Sequence, residues 1–232
     1  MPEPVISFKN FTFKYKIQSE PTLYDINLDI YPGEKVLVLG PSGSGKSTLA
    51  GCVNGLIPFS HKGEMTGSCK VHGTETRELN IFKLSRKVGT VLQDSDAQFV
   101  GLSVGEDIAF SMENEALPRN EMLPRVAENA EAVGMRRFLS ALPFDLSGGE
   151  KQKVAMAGVL SGDVDILLFD EPLASLDPEM TEEMNAVLSE LTRNSGITLL
   201  IATHDLEQVR KYATRVLEMK NDLLTELPLR EL

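Results

Sequence analysis

One stretch constrains this chain more than any other: Gly40-Pro41-Ser42-Gly43-Ser44-Gly45-Lys46-Ser47, which fits the pattern G-x-x-x-x-G-K-[ST]. Lys35–Leu39 before it is a short apolar strand with two valines, and Lys46 to about Leu56 after it reads as a helix that Pro58 closes. A strand, a glycine-rich turn and a helix in that order curl the backbone so that successive N–H groups point inward. The helix N-terminus adds the positive end of its dipole, so the concavity suits phosphate. Lys46 brings a point charge for the outer phosphates, and the Ser47 hydroxyl suits Mg²⁺. Four fixed positions match by chance in about one chain of this length in a hundred. The stretch therefore reads as a nucleotide site built from Gly40, Ser42, Gly43, Ser44, Gly45, Lys46, Ser47 and Thr48.

Such a loop needs a second group to hold the metal and a third to orient water. Ile166-Leu167-Leu168-Phe169-Asp170-Glu171 supplies both. The four apolar residues make a fully buried strand, which delivers two adjacent acids at its C-terminal end, where ligands bind in open α/β sheets. Asp170 is the candidate metal holder and Glu171 the candidate general base.

The rest of the chain supports an α/β core. Residues 5–8, 11–13 and 23–30 read as strands, followed by a turn at Tyr31-Pro32-Gly33-Glu34. Residues 60–80 look like a β-rich excursion, 82–87 a helical turn and 88–92 a strand. Helices are expected over 104–113, over 121–133 with Asn120 as N-cap, and from a cap at Ser147 to about Leu160. A helix over 179–193, a buried strand over 197–202, a helix over 205–212 and a strand over 215–219 follow. Strands alternating with helices mark an α/β fold, and residues 90–145, lacking buried strands, read as a helical insertion.

Composition narrows the function classes. The 232 residues include 23 basic and 34 acidic side chains, a formal charge of −11, which argues against holding nucleic acid by bulk electrostatics. Two cysteines, Cys52 and Cys69, are too few for a disulfide scaffold and fit a reducing compartment. Apolar runs are too short to span a bilayer, and Met1-Pro2-Glu3-Pro4 lacks the features of a signal peptide. Packing accounts for Met180 and Met184 at helical spacing, and His61 and His72 have no context that gives them a role.

Leu146-Ser147-Gly148-Gly149-Glu150-Lys151-Gln152, taken with Gly40–Ser47 and Ile166–Glu171 in that order, resembles the signature arrangement of ATP-binding cassette (ABC) ATPases. The resemblance implies a P-loop NTPase fold: a RecA-like core, an N-terminal antiparallel β subdomain and a helical signature subdomain. It implies a single domain over 1–232, with about 1–92 and 161–232 forming the β subdomain and core, and about 93–160 the helical part. Tyr15 matches the adenine-stacking aromatic, Gln93 the Q-loop glutamine that touches metal and water, Asp177 the D-loop acid, and His204 the γ-phosphate histidine. Ser147, Gly148 and Gly149 match the second phosphate site, which in this family serves the nucleotide of a partner cassette in a head-to-tail dimer. Catalysis then falls to Glu171, His204 and Gln93, and the metal to Ser47, Gln93 and Asp170, with ATP and Mg²⁺ as substrate and cofactor.

Within the family, Gln93 with a second glutamine at Gln98, then Val104-Gly105-Glu106-Asp107-Ile108-Ala109-Phe110, resembles the energy-coupling-factor (ECF) type ATPases, as does Asn54-Gly55-Leu56-Ile57-Pro58. Ser95 stands where that group usually has proline. The resemblance implies an importer subunit on the cytoplasmic face of a prokaryotic membrane. It would couple ATP-driven dimer closure to uptake of a vitamin or metal ion through membrane subunits docked at the Q-loop region. The alternative is a soluble ABC ATPase acting on a macromolecular complex; the acidic balance and the short helices of residues 49–145 argue against that. ECF-type ATPases usually continue into a longer C-terminal segment, so a truncated chain or one cassette of a tandem protein is also an expectation.

Overall fold

The computed structural model describes residues 2–92, 98–172, 178–194, 196–204, 213–220 and 223–228. Its strands are β1 (Ile6–Tyr15), β2 (Leu23–Ile30), β3 (Lys35–Leu39), β4 (Gly63–Val71), β5 (Thr74–Glu75), β6 (Val88–Val91), β7 (Ile166–Asp170), β8 (Thr198–Thr203), β9 (Arg215–Lys220) and β10 (Leu223–Leu227). Its helices are α1 (Lys46–Asn54), α2 (Leu56–Phe59), α3 (Ile81–Ser85), α4 (Val104–Asn114), α5 (Arg119–Ala132), α6 (Gly148–Leu160) and α7 (Pro178–Asn194).

Among the described residues the strands form two sheets. A four-stranded antiparallel sheet runs β2-β1-β4-β5, and a six-stranded sheet runs β10-β9-β3-β8-β7-β6. In the second sheet β9, β3, β8, β7 and β6 are parallel, and β10 closes one edge antiparallel to β9. Parallel strands need both faces covered, and alternation of side chains does this. Leu37, Leu167, Phe169, Leu199 and Ile201 point to the face covered by α4, α6 and α7. Val36, Val38, Ile166, Leu168 and Leu200 point to the other, where α1 packs with Phe8, Phe11 and Phe13 of β1. Cys52 and Cys69 lie buried and unpaired in this second core, and burial pushes the Cys69 thiol up to about 12.

The structure amends several expectations. Residues 6–15 form one strand with register shifts instead of two separate strands, because β4 pairs along its whole length. The phosphate helix ends at Asn54, where Gly55 takes the left-handed conformation (φ 84°), so Gly55 and not Pro58 ends it. The helix expected from Glu121 begins at Arg119 with Pro118 at its cap, leaving Asn120 inside the first turn. The fixed φ of Pro118 suits that entry, and no side chain caps it. The helical turn at 82–87 is α3, one residue earlier, with Asn80 accepting from Lys83 N–H. β10 was not anticipated: its mixed polar and apolar residues give no buried-strand signal, and pairing with β9 creates it. The helix expected over 205–212 lies outside the described residues.

Helix α6 crosses the core against β6 at Gly89, where an added Cβ would lie 2.1 Å from Val159 Cγ1 and 3.1 Å from both Leu167 Cδ2 and Val164 Cγ2. Valine methyls close to their own backbone cannot swing away. Gly89→Ala is therefore expected to lower stability by about 1–3 kcal/mol, measured by urea unfolding; an unchanged midpoint would show that α6 has room to shift.

Candidate functional site

The register of the parallel strands brings the site together. Leu39 of β3 lies beside Thr203 of β8, and Asp170 of β7 lies beside Ala202 of β8. The glycine-rich loop, His204 and Glu171 therefore leave the sheet at the same C-terminal edge. Between them is a cleft of 370 Å³ lined by Tyr15, Gln18, Thr22, Ser42, Gly43, Gly45, Lys46, Ser47, Thr48, Glu171 and His204.

The loop is a cradle that side chains would fill. Gly45 has φ 104°, and a Cβ there would meet the Thr22 carbonyl oxygen at 2.9 Å. A Cβ at Gly40 would meet the Met219 carbonyl oxygen at 2.5 Å. Lys46 is almost wholly buried; its ammonium donates to the carbonyls of Gly40 (2.8 Å) and Pro41 (3.1 Å). Nζ also lies 3.5 Å from Glu171 Oε1. The other Glu171 oxygen, Oε2, is 2.8 Å from His204 Nδ1. Glu171 itself sits at φ 52°, a left-handed conformation that costs a non-glycine residue about 1–2 kcal/mol, while its N–H donates to Ala202 O at 2.9 Å. Strain of that kind persists only where the surroundings impose it, and here it turns the carboxylate back toward Lys46 and His204.

Burial raises the Asp170 carboxyl above the ordinary aspartate range and the charge of Glu171 adds to the rise; a hydrogen bond with Ser47 and the Lys46 charge oppose it. Asp170 Oδ1 is buried without a hydrogen-bond partner, as is Ser44 Oγ in the loop. An orphaned carboxylate oxygen beside a serine hydroxyl is an oxygen donor set that fits Mg²⁺, a hard cation that keeps several waters and takes one or two carboxylates. The loop's cradle and Lys46 fit a polyphosphate.

Most residues expected from the sequence meet here. Tyr15 reaches the cleft, its ring edge-on to Phe13 (4.7 Å between centroids) and its hydroxyl 3.1 Å from Thr48 Oγ1. Gln18 and Thr22 were not anticipated; Thr22 Oγ1 donates to Gln18 Oε1 at 2.7 Å. Their only signal in the sequence is a polar turn after an aromatic, which many exposed loops share. Gln93 and Asp177 lie outside the described residues.

Ser147, Gly148 and Gly149 do not line the cleft. Ser147 caps α6 in a reciprocal box: Glu150 Oε2 accepts from Ser147 N–H at 2.9 Å, while Ser147 Oγ caps Glu150 N–H. The Ser147 N–H is the main reason the Glu150 carboxyl lies below the ordinary glutamate range. Ser147 and Gly148 face solvent, whereas Gly149 is buried under Met180, whose Cε would lie 2.2 Å from an added Cβ. Met180 thus packs on the signature turn.

A second hollow, of 440 Å³, lies between α3, β6, α4 and α6. Leu56, Ile81, Phe82, Val100 and Phe110 give it apolar walls, and Arg86 pairs with Glu115 across 3.1 Å within it. Phe82 (56% exposed) and Val100 (62%) leave large apolar surface open.

The profile described as "ABC transporter" matches residues 23–174. A Lactiplantibacillus plantarum protein, provisionally named an ABC transporter ATP-binding protein, is 54% identical over 209 residues, covering 90% of this chain and 37% of that protein. A Clostridium perfringens protein of the same description is 52% identical over 205 residues, covering 88% of this chain and 36% of its own. The chain thus spans little more than a third of the length of these relatives. Among solved structures, CbiO1 of Clostridium perfringens, part of the ABC transporter complex CbiONQ, superposes with TM-score 0.88 at 32% identity, covering 99% of this chain and 90% of its own. The cassette MJ0796, in a dimeric post-hydrolysis state bound to ADP and Pi, superposes with TM-score 0.84 at 30% identity, covering 97% and 99%.

The raised Asp170 carboxyl carries a stability consequence. In the folded protein it keeps its proton to higher pH than in the unfolded chain, so without nucleotide and metal its contribution to stability falls as pH rises through that window and stays low above it. Asp170→Asn is expected to raise the thermal midpoint of the metal-free protein at neutral pH, with the advantage shrinking as pH falls toward the carboxyl's own titration. Differential scanning calorimetry at several pH values checks this; a variant less stable at neutral pH contradicts it.

Proposed function

The chain belongs to the ABC transporter ATP-binding family, and from that premise we propose that it binds MgATP in the 370 Å³ cleft, hydrolyses it, and drives an importer of the ECF type. The observation that carries the chemistry is the convergence of Lys46, Glu171 and His204 within hydrogen-bond or ion-pair reach at the sheet edge.

Each residue has a task in that reaction. The loop N–H groups and Lys46 bind the phosphates, and Tyr15 offers its ring to the adenine. Asp170 and Ser47 hold the metal, which when bound supplies positive charge against the phosphate oxygens. Glu171 accepts a proton from the attacking water, and His204 steadies that carboxylate and reaches the terminal phosphate. Gln93 adds to the metal and water contacts, and Asp177 to communication between sites. Ser147, Gly148 and Gly149 do not line the chain's own cleft, and Ser147 and Gly148 are open to solvent, which supports a head-to-tail pairing in which the turn closes on the nucleotide of a second cassette. The MJ0796 cassette, dimeric with ADP and Pi bound, is a precedent for two cassettes pairing.

The apolar hollow between α3 and α4 is the surface we assign to a membrane subunit. Among the described residues no helix is long and apolar enough to cross a membrane, so in this reading the translocation path belongs to partner segments. The likeness to CbiO1, part of an ABC transporter complex, supports a subunit of an ECF-type transporter. A vitamin or metal ion as cargo, at the cytoplasmic face of a prokaryotic membrane, is what the sequence resemblance adds to this reading.

Glu171→Gln is expected to lower kcat by about 10²–10⁴-fold while ATP still binds and holds two cassettes together, read by phosphate release and size-exclusion chromatography with ATP. Lys46→Ala is expected to lose nucleotide binding in a fluorescent-ATP titration. Undiminished hydrolysis in the first, or undiminished affinity in the second, would sink the respective assignment. Phe82→Glu places a charge on the hollow's open apolar wall and is expected to release the chain from its membrane partner in co-purification, with nucleotide affinity unchanged. Retention of an integral-membrane partner by that variant would move the docking surface elsewhere.

A further inference from the structure

Two stretches have no part in the chemistry above: Asn54-Gly55-Leu56-Ile57-Pro58 at the foot of the phosphate helix, and Gln98. They meet on one residue, Thr90. Asn54 is the last residue of α1, and its carboxamide is engaged at both ends: Oδ1 accepts from Leu56 N–H at 3.0 Å, and Nδ2 donates to Thr90 Oγ1 at 3.1 Å. Gln98 mirrors it, with Oε1 accepting from Leu92 N–H at 2.9 Å and Nε2 donating to Thr90 O at 3.0 Å. Flipping the Gln98 amide would set donor against donor and acceptor against acceptor, and flipping that of Asn54 would set its NH₂ against the Leu56 N–H, so each has one orientation.

Thr90 occupies β6 opposite Leu168 of β7, two residues before Asp170. Beyond Gln98 the backbone is tied again: the N–H groups of Val100 and Gly101 both donate to Asp107 Oδ1 of α4, at 2.9 and 3.1 Å. A line of hydrogen bonds and short backbone segments therefore runs from the end of the phosphate helix, through Thr90 and Gln98, to the helix that walls the apolar hollow. Asn54, Thr90, Gln98 and Asp107 all line that hollow, and none lines the nucleotide cleft.

Mechanically the arrangement is a lever. Nine helical residues span about 13 Å as a rigid rod. One end of α1 closes the phosphate loop and the other holds Thr90. A shift of α1 when phosphate enters the loop is carried whole to Asn54, because a helix does not shorten. We infer that Asn54, Thr90 and Gln98 are positioning residues that set the wall of the apolar hollow according to whether the phosphate loop is filled. This rests on the nucleotide-binding reading of the cleft.

If these amides were only caps, they would hold the fold together and ignore nucleotide. The distinguishing measurement is NMR on the full ¹⁵N-labelled chain, titrated with Mg²⁺ and a non-hydrolysable ATP analogue. The Gln98 side-chain amide signals are expected to move as the analogue binds. Thr90→Val removes the hydroxyl that receives Asn54 but keeps the carbonyl that receives Gln98, so those signals remain visible and their movement is lost. Asn54→Ala is expected to do the same, and Thr90→Ser, which restores the hydroxyl, to bring the movement back. Gln98→Ala is expected to lower kcat several-fold with KM for MgATP unchanged. A Gln98 signal that stays still in the unmodified chain while the Gly43–Ser47 backbone signals shift overturns the inference, as does an undiminished movement in Thr90→Val. If the Gly43–Ser47 signals do not respond either, the nucleotide reading itself fails and takes the relay with it.

Discussion

The parallel register of β3, β8 and β7 sets Leu39, Thr203 and Asp170 along one edge of a sheet buried on both faces. All the chemistry depends on that alignment. A parallel strand presents its next residue at the same end as its neighbours, so loops far apart in sequence start side by side. A register slip of one residue in β8 would withdraw His204 from Glu171 and send the side chains of Leu199 and Leu200 to the opposite faces. Two apolar cores, one on each face, oppose such a slip, so the packing of aliphatic side chains fixes the geometry of the polar site.

The charged groups at that edge are crowded and mutually restrained. Lys46 is held by two backbone carbonyls and faces Glu171, Glu171 is twisted into a left-handed backbone, and His204 holds its second oxygen. Asp170, next to Glu171, keeps one buried oxygen without a partner. A site arranged for stability alone would satisfy that oxygen and relax that backbone. The unsatisfied acceptor and the strained residue sit where a cation and a polyphosphate fit, and their cost is carried by the cores beneath them.

The signature turn and the apolar hollow extend this logic away from the cleft. The capping box of Ser147 and Glu150 fixes the start of α6, and Met180 fills the space that Gly149 leaves, yet Ser147 and Gly148 stay open to solvent. Helix α6 runs on to line the hollow, where α4 and the Thr90 contacts of Asn54 and Gln98 also meet. Phosphate loop, signature turn and hollow are thus parts of one packed body joined by rigid elements.

Local patterns in the sequence were enough for the phosphate loop, the paired acids after a buried strand and the signature turn, because each is a continuous run whose backbone conformation follows from its own glycines, apolar strand or cap. Long-range placement was not legible there. Nothing in the run around His204 says that its imidazole lies 2.8 Å from Glu171, and nothing around Gln18 or Thr22 says that they border the cleft. β10 has no strand signal of its own, and the left-handed Gly55 ended a helix that periodicity alone would extend. Asn54 and Gln98 stood out in the sequence, but their meeting on Thr90 appears only when β6 is laid against α1. The segments able to hold phosphate, metal or a helix cap can be read from the residues alone, since each depends on neighbours within a few positions. Which of them face one another depends on strand order and register, and those are set by side chains from the whole chain packing on both faces of one sheet.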